Sequence, residues 1–234
     1  MQAVILAGGL GTRLLPRTQA LPKSLIEVAG RPFIAWQLER LALSGFAEVV
    51  LCVGHLAAPI REFVANGSAF GLAVLYAEDG AEPLGTAGAL RNALPLLADT
   101  FLVTYGDSYL PFDYSAPLRD LQSHPEALGT LAVYKNSGQW DASNTEVEGQ
   151  RVLRYQKAAN DPALSYIDYG AMALRKSVIA ALPATTALGL ERVQAELARA
   201  GTLRAYVASE RFYEIGSESG LSALEQYLGA GSRR

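Results

Sequence analysis

The chain has 234 residues, of which 50% are hydrophobic and 18% charged, with a net charge of −3. That composition supplies a large core, and the lack of a basic block before the terminal Arg233-Arg234 excludes an obvious nucleic-acid partner. A lone cysteine rules out an internal disulfide framework, and no uncharged apolar run approaches the ~20 residues of a membrane span, so a soluble cytoplasmic protein without membrane or nucleic-acid partners is expected.

The first apolar run, over residues 3–7, reads as a strand, with no basic segment before it that would mark a signal peptide. Pro32 fits the first turn of a helix, and Ile34, Leu38 and Leu41 continue it at helical spacing until Gly45. A second strand is expected over residues 48–53. The single Cys52 lies within it and reads as a buried core thiol. A helix over 59–65 stops near Gly67, a third strand covers 72–76, and a short helix covers 86–94. A fourth strand over 101–105 ends at Gly106-Asp107.

The second half reads differently. Short strands are expected over 130–134, 146–147, 152–156 and 166–174, and helices over 190–200 and 218–228. The βαβα alternation of the first half implies a parallel sheet covered on both faces. The fold class is therefore α/β. The expected architecture is a Rossmann-like, mixed, mainly parallel central sheet with helices on both faces and a small antiparallel addition. Ligands of such sheets bind beyond the carboxyl ends of the strands. Gly8 and Asp107 both follow such ends, so one cleft can hold both. No internal repeat or linker divides the chain, and residues 1–234 read as a single domain.

The loop after the first strand is Gly8-Gly9-Leu10-Gly11-Thr12-Arg13, followed by Pro22-Lys23. Glycines let a backbone turn tightly and aim its N–H groups at an anion. Arg13 and Lys23 add positive charge beside that cradle, which suits a polyphosphate. The dinucleotide fingerprint fails because Leu14 stands at the third glycine position, and this disfavours a nicotinamide oxidoreductase. The ATPase phosphate loop fails because Pro22 precedes Lys23-Ser24. Neither His55 nor His124 clusters with other ligands, and no nucleophile triad is evident.

This stretch resembles the signature of the sugar-nucleotidyltransferases (nucleoside-diphosphate-sugar pyrophosphorylases), G-G-x-G-T-R-L-x-P-x-T-x-x-x-P-K. Gly8, Gly9, Gly11, Thr12, Arg13, Leu14, Pro16, Thr18, Pro22 and Lys23 fill every fixed position. The resemblance implies transfer of a nucleoside monophosphate from an NTP to a sugar 1-phosphate, with release of pyrophosphate. Two polyanions must then be brought together and their charge screened, by cations and by Mg²⁺ held on carboxylates. Residues 1–110 would form the nucleotide-binding half and residues 111–234 the sugar-phosphate-binding half.

The resemblance also implies site roles. Arg13 would screen the leaving phosphates and Lys23 the α-phosphate. Leu6, Ala7, Gly8, Gly9, Gly11 and Thr12 would bind the nucleotide. The segment Pro83-Leu84-Gly85-Thr86 resembles the base-recognition loop, with Gly85 and Thr86 beside the base. Glu78 is placed near the base edge, where an acceptor-only carboxylate would suit guanine, against the plainer reading of a solvated loop charge. Asp107 resembles the first metal position. Glu214 resembles the second, one methylene longer than the usual aspartate.

On the acceptor side, Lys157 is the expected phosphate anchor. Gln156 replaces a usual glutamate, and Asn144 and Asp168 are further candidates for sugar contacts. Trp140 and Asp141 could rim that pocket, although a core tryptophan is the plainer reading. These departures fit either neutral drift or an unusual acceptor such as a heptose phosphate. The guanylyltransferases of D-glycero-D-manno-heptose 1-phosphate and mannose 1-phosphate are the branch most resembled. A UTP- or CTP-dependent enzyme on another phosphorylated acceptor, a non-catalytic nucleotide-sugar-binding regulatory subunit, and a homo-oligomer all stay open.

Overall fold

The computed structural model describes residues 1–231 except 10, 12, 13, 15–17, 20, 55, 81, 82, 137, 158–160 and 184–186. In chain order the first half contains β1 (Gln2–Leu6), β2 (Glu27–Val28), β3 (Arg31–Pro32), α1 (Phe33–Leu43), β4 (Glu48–Val53), α2 (Ala57–Val64), β5 (Ala73–Glu78), α3 (Gly85–Asn92) and β6 (Thr100–Tyr105). There follow β7 (Ser108–Tyr109), α4 (Ser115–Ser123), β8 (Gly129–Lys135), β9 (Thr145–Glu148), β10 (Arg151–Tyr155) and β11 (Tyr166–Arg175). The chain then forms α5 (Lys176–Ala180), α6 (Leu190–Arg199), β12 (Leu203–Ala208), β13 (Tyr213–Glu214) and α7 (Glu218–Gly231).

Nine strands form one sheet in the order β5-β4-β1-β6-β11-β8-β12-β10-β9. The first four are mutually parallel, β11 runs against both its neighbours, and β12 lies parallel to β8. β10 and β9 close the far edge antiparallel. The expected architecture is therefore present.

Alternation along the central strands assigns each residue to a face. Ala3, Ile5, Val49 and Leu51 pack with Ile34, Leu38, Ile60, Leu118 and Leu121 on one side. Val4, Val50 and Cys52 pack with Leu90, Ile179, Val193 and Leu197 on the other. A slip of one residue would exchange the two sets, so burial fixes the register. At ~1.5–3 kcal/mol for each large apolar side chain buried, that constraint is strong. A third cluster, including Leu14, Phe33, Ile215, Leu221 and Leu224, seats α7 against the loop after β1.

Two elements longer than five residues escape the periodicity. Helix α4 contains Pro117 near its start, and only Leu118 and Leu121 mark its buried face strongly. Strand β12 follows α6 after a turn of three residues and inserts beside β8, a parallel placement that local pattern does not show. Among the described residues, no helix is long and apolar enough to cross a membrane.

Candidate active site

The chain runs from β1 outward to β4 and β5, then returns to β6 on the other side of β1. The sheet order therefore reverses between β1 and β6, and a crevice opens beyond their carboxyl ends. A cleft of about 350 Å³ occupies this place. Its floor is Leu6, Ala7, Gly8, Gly9 and Gly11; Lys23 and Asp107 stand at one end, and Asp79, Pro83, Gly85 and Thr86 at the other. Cys52 and Ala89 complete the apolar wall.

Lys23 opens a short 3-10 turn, Lys23–Leu25, after Pro22. Its Nζ donates to Asp107 Oδ2 at 2.6 Å. Asp107 sits in the turn between β6 and β7, and that turn is braced from below. Gln37 on α1 is buried, and its Nε2 donates to Tyr105 O and to Ser108 O, each at 2.8 Å. The brace therefore spans the carbonyls on either side of Gly106-Asp107. Glu214 pairs in register with Ser108, and Ile215 N donates to Asp107 O at 2.9 Å. Asp107, which lines the cleft, and Glu214 are therefore neighbours across the β7–β13 pair. Both carboxylates, with Asp168 and Glu191, act on the Tyr105 phenol, which burial first pushes well above its ordinary range.

The loop that opens α3 is built as a close approach. Gly85 has φ +71, and a Cβ there would lie 2.6 Å from Leu188 O. The N–H of Ala87 donates to that same carbonyl at 2.8 Å, and Leu188 N donates to Leu84 O at 2.9 Å. Thr86 Oγ1 accepts from Leu190 N at 2.7 Å. The start of α6 thus clamps the start of α3. The clamping segment lies about 100 residues away in sequence, and nothing local announces it.

Glu78 is not where the sequence reading placed it. It is the last residue of β5, and its carboxylate pairs with Arg61 on α2 at 2.5 Å, largely exposed. Strand alternation turns the next residue, Asp79, into the cleft instead. Thr12 and Arg13 lie outside the described residues, as does His55. His124 lies at the end of α4, where Nδ1 contacts Asp120 O at 2.7 Å, remote from the cleft wall.

The four acceptor-side candidates come together. Asn144 Oδ1 accepts from Asp168 N at 2.8 Å, and Asn144 O accepts from Gln156 N at 2.8 Å. Asp168 takes the Tyr155 hydroxyl at 3.2 Å, Gln194 Nε2 at 2.7 Å and Gly170 N at 2.9 Å. Burial raises the Asp168 carboxyl, and these hydrogen bonds and the Lys157 charge work against that rise. The group does not line the main cleft. It sits behind Tyr105, which also lines a small second cavity shared with Asp168 and Gln194. Trp140 is not a core residue. It is 41% exposed, and the Arg211 guanidinium stacks on its ring with Cζ 3.7 Å from the centroid.

The model of the nucleotidyl transferase family matches residues 2–144, which hold β1 to β8 and the whole described cleft apart from the α6 clamp. The chain belongs to this family. Over 127 residues it is 42% identical to the N-acetylmuramate alpha-1-phosphate uridylyltransferase of Neisseria meningitidis, covering 54% of this chain and 55% of that protein. Over 195 residues it is 32% identical to the mannose-1-phosphate guanylyltransferase of Mycobacterium tuberculosis, covering 82% of this chain and 54% of that one. The chain thus spans about half the length of these relatives. Among solved structures, HddC from Yersinia pseudotuberculosis superposes with a TM-score of 0.79 at 24% identity, over 97% of this chain and 99% of that one. The inositol-1-phosphate CTP transferase of T. maritima gives 0.81 at 23% identity, over 97% and 94%.

In this member of the nucleotidyl transferase family, three positions of interest carry no signature in the sequence. Gln37 is a polar residue on the apolar stripe of α1, one place before Leu38, and that misfit is its only signal. Leu188 contributes through its backbone and leaves none. Asp79 is adjacent to an equally acidic residue, and only strand phase separates the two.

Proposed function

We propose that the chain transfers a nucleoside monophosphate from an NTP to a sugar 1-phosphate, with GTP and a heptose or mannose-type 1-phosphate as donor and acceptor. The observation that carries this reading is the Lys23–Asp107 pair at 2.6 Å, set at the glycine-floored end of the cleft. An acceptor phosphate oxygen attacks the α-phosphorus, the bond to the β-phosphate oxygen breaks, and pyrophosphate leaves. No covalent enzyme intermediate is needed, because the attacking group is already anionic. Cys52 does not supply one, since burial pushes its thiol up to about 12.

Each residue's task follows from its place. Backbone N–H groups of Gly8, Gly9 and Gly11 serve the phosphates. Lys23 places its charge at the α-phosphate, where negative charge grows in the transition state. Lys157, on the acceptor side with Asn144, Gln156 and Asp168, anchors the second phosphate. Arg13, outside the described residues, is assigned the leaving pyrophosphate. Asp107 and Glu214 fit Mg²⁺: they are hard oxygen donors, and this ion is commonly held by one or two carboxylates with substrate phosphates and water. Among the described residues no larger cluster of metal-ligating side chains competes with them. When bound, Mg²⁺ neutralises phosphate charge. Asp107 and Glu214 would hold it, and Lys23 would serve the α-phosphate of the donor.

Residues 1–234 are read as one domain, with roughly 1–110 holding nucleotide and 111–234 holding the acceptor, in a cytoplasmic setting where both substrates form. A matrix of four NTPs against phosphorylated hexoses, heptoses and N-acetylmuramate, read by pyrophosphate release with Mg²⁺, tests this. Silence in every cell would leave a nucleotide-sugar-binding regulatory subunit. The 42% identity to a uridylyltransferase favours a second reading, UTP as donor, which the same matrix separates.

A further inference from the structure

We propose that Gln194 is a positioning residue: it ties the loop that opens α3, and with it the bound nucleotide, to the acceptor-side group at Asp168. The inference rests on the nucleotidyl-transfer reading above. Helix α6 presents Leu190, Val193, Leu197 and Ala198 to the core, and Gln194 stands among them at 1% exposure. A buried amide on an apolar stripe is costly unless it is hydrogen-bonded. Its Nε2 meets that need by donating to Asp168 Oδ2 at 2.7 Å. The acceptor is a carboxylate, so the bond is of the stronger, charge-assisted kind. A leucine would fill the stripe without the cost, so what the amide adds is this one link.

The link joins two places that share no residue. Asp168 stands apart from the cleft wall, and its carboxylate also accepts from Gly170 N and the Tyr155 hydroxyl. Its own N–H donates to Asn144 Oδ1, which puts it at the centre of the acceptor-side candidates. Four residues before Gln194, on the same face of α6, Leu190 N donates to Thr86 Oγ1 at 2.7 Å. Leu188, just ahead of the helix, accepts from Ala87 N and Gly88 N and donates to Leu84 O. Gly85 and Thr86 line the nucleotide cleft. One turn of α6 therefore has its start fastened to the cleft wall and its end fastened to Asp168. Leu190, Gln194 and Asp168 also share the second cavity with Tyr105, which belongs to the cleft wall as well.

A helical turn is stiff, so a shift at Gln194 carries Leu190 N and Leu188 O with it. The loop has no slack to absorb such a shift. Gly85 lies so close to Leu188 O that a Cβ there would be 2.6 Å from it. Released from Asp168, α6 loses its polar tether, and the nucleotide must then order the loop at the expense of its own affinity. An acceptor that settles Asn144 and Asp168 does the reverse, and linkage makes that help mutual between the two substrates. Tyr155 supplies the contrast. It donates to the same Asp168 oxygen from β10, and no described hydrogen bond joins its side chain to the start of α6.

Calorimetric titration of GTP, UTP, CTP and ATP into the full chain, without acceptor, identifies the NTP that the wild type binds tightest, and that NTP probes the variants. Gln194→Leu should bind it about tenfold weaker, and Thr86→Val, which breaks the other end of the turn, by a similar factor. Independent losses would multiply to about 100-fold in the double variant. Losses that act through one clamp should leave the double variant near tenfold. Tyr155→Phe should lower the melting temperature as Gln194→Leu does and leave NTP affinity close to wild type, which separates positioning from a general loss of stability. Wild-type affinity in a folded Gln194→Leu protein, multiplying losses, or an equal loss in Tyr155→Phe would overturn the proposal. Should the leucine variant not fold, Asp168→Asn takes its place: it keeps the shape and removes the charge, weaker NTP binding supports the link, and unchanged binding overturns it. The two levels fail separately. No NTP binding to the wild type sinks the transfer reading itself. Full turnover without the expected pattern sinks the positioning role alone, and the expected pattern without pyrophosphate release in any pairing sinks the enzymatic reading alone.

Discussion

Lys23 Nζ and Asp107 Oδ2 are 2.6 Å apart although 84 residues separate them in the chain. The first follows the glycine loop after β1 and the second follows β6, and β1 and β6 are paired in parallel from Ala3↔Leu102 to Leu6↔Tyr105. Sheet pairing therefore brings the cation and the carboxylate to the same end. Their side chains are 14% and 28% exposed, so solvent screens the pair only partly.

Lys23→Ala should lower turnover by about 10²- to 10³-fold, the usual loss when one preorganised donor to developing charge is removed. Stability should change by no more than about 1 kcal/mol, because the pair is partly solvated. Single-turnover kinetics beside thermal melting checks both halves; near-normal turnover would remove Lys23 from the chemistry.

Asp107→Asn keeps the shape of the turn and removes its charge. The Mg²⁺ concentration for half-maximal pyrophosphate release should rise on the order of tenfold or more. A metal titration identical to that of the wild type would mean that Asp107 is not a ligand.

Gln37→Ala removes the donors that hold the Tyr105 and Ser108 carbonyls around Asp107. Two buried acceptors lose their partner, so the protein should be destabilised by about 1–3 kcal/mol. The Mg²⁺ requirement should also rise, because the turn that carries Asp107 loosens. A purely structural brace would alter the melt and leave the metal titration in place, and comparing the two measurements decides.

Gly85→Ala forces a side chain into a left-handed backbone against Leu188 O. We expect a loss of about 2 kcal/mol or more and weaker nucleotide binding, since the α3–α6 clamp must open. Denaturant unfolding and a nucleotide titration measure these effects; a neutral result would show that the clamp yields freely.

Burial raises the Asp79 carboxyl above its ordinary value. An acid whose folded pKa is raised costs stability at pH 7, where it is ionised in both states. That cost fades as pH falls through the raised value and is gone below the unfolded one. Asp79→Asn should therefore melt higher than wild type at neutral pH, with a gap that narrows steadily toward acid. Cys52, the titratable neighbour on β4, stays a neutral thiol across this range. A gap that widens on acidification would contradict the sign of the shift.

The chain's own pattern settled the hydrophobic strands, most of the helices and the glycine loop, because these depend on local periodicity and on backbone freedom. Strand Glu48–Val53 shows this: an unbroken apolar run admits few other states once both sheet faces are covered. The placing of Gly8 and Asp107 in one cleft was likewise legible, since both follow strand ends, whereas the Lys23–Asp107 pair was not. What the sequence left open was direction and distance. Glu78 and Asp79 are chemically near-equivalent neighbours, and only the phase of β5 decides which faces Arg61 and which faces the cleft. Gln37, Leu188 and β12 act through contacts that cross from 68 to more than 100 residues of chain or rest on backbone atoms alone. Such contacts depend on which elements the fold makes adjacent, a property of the assembled sheet and its covering helices rather than of any local run of side chains.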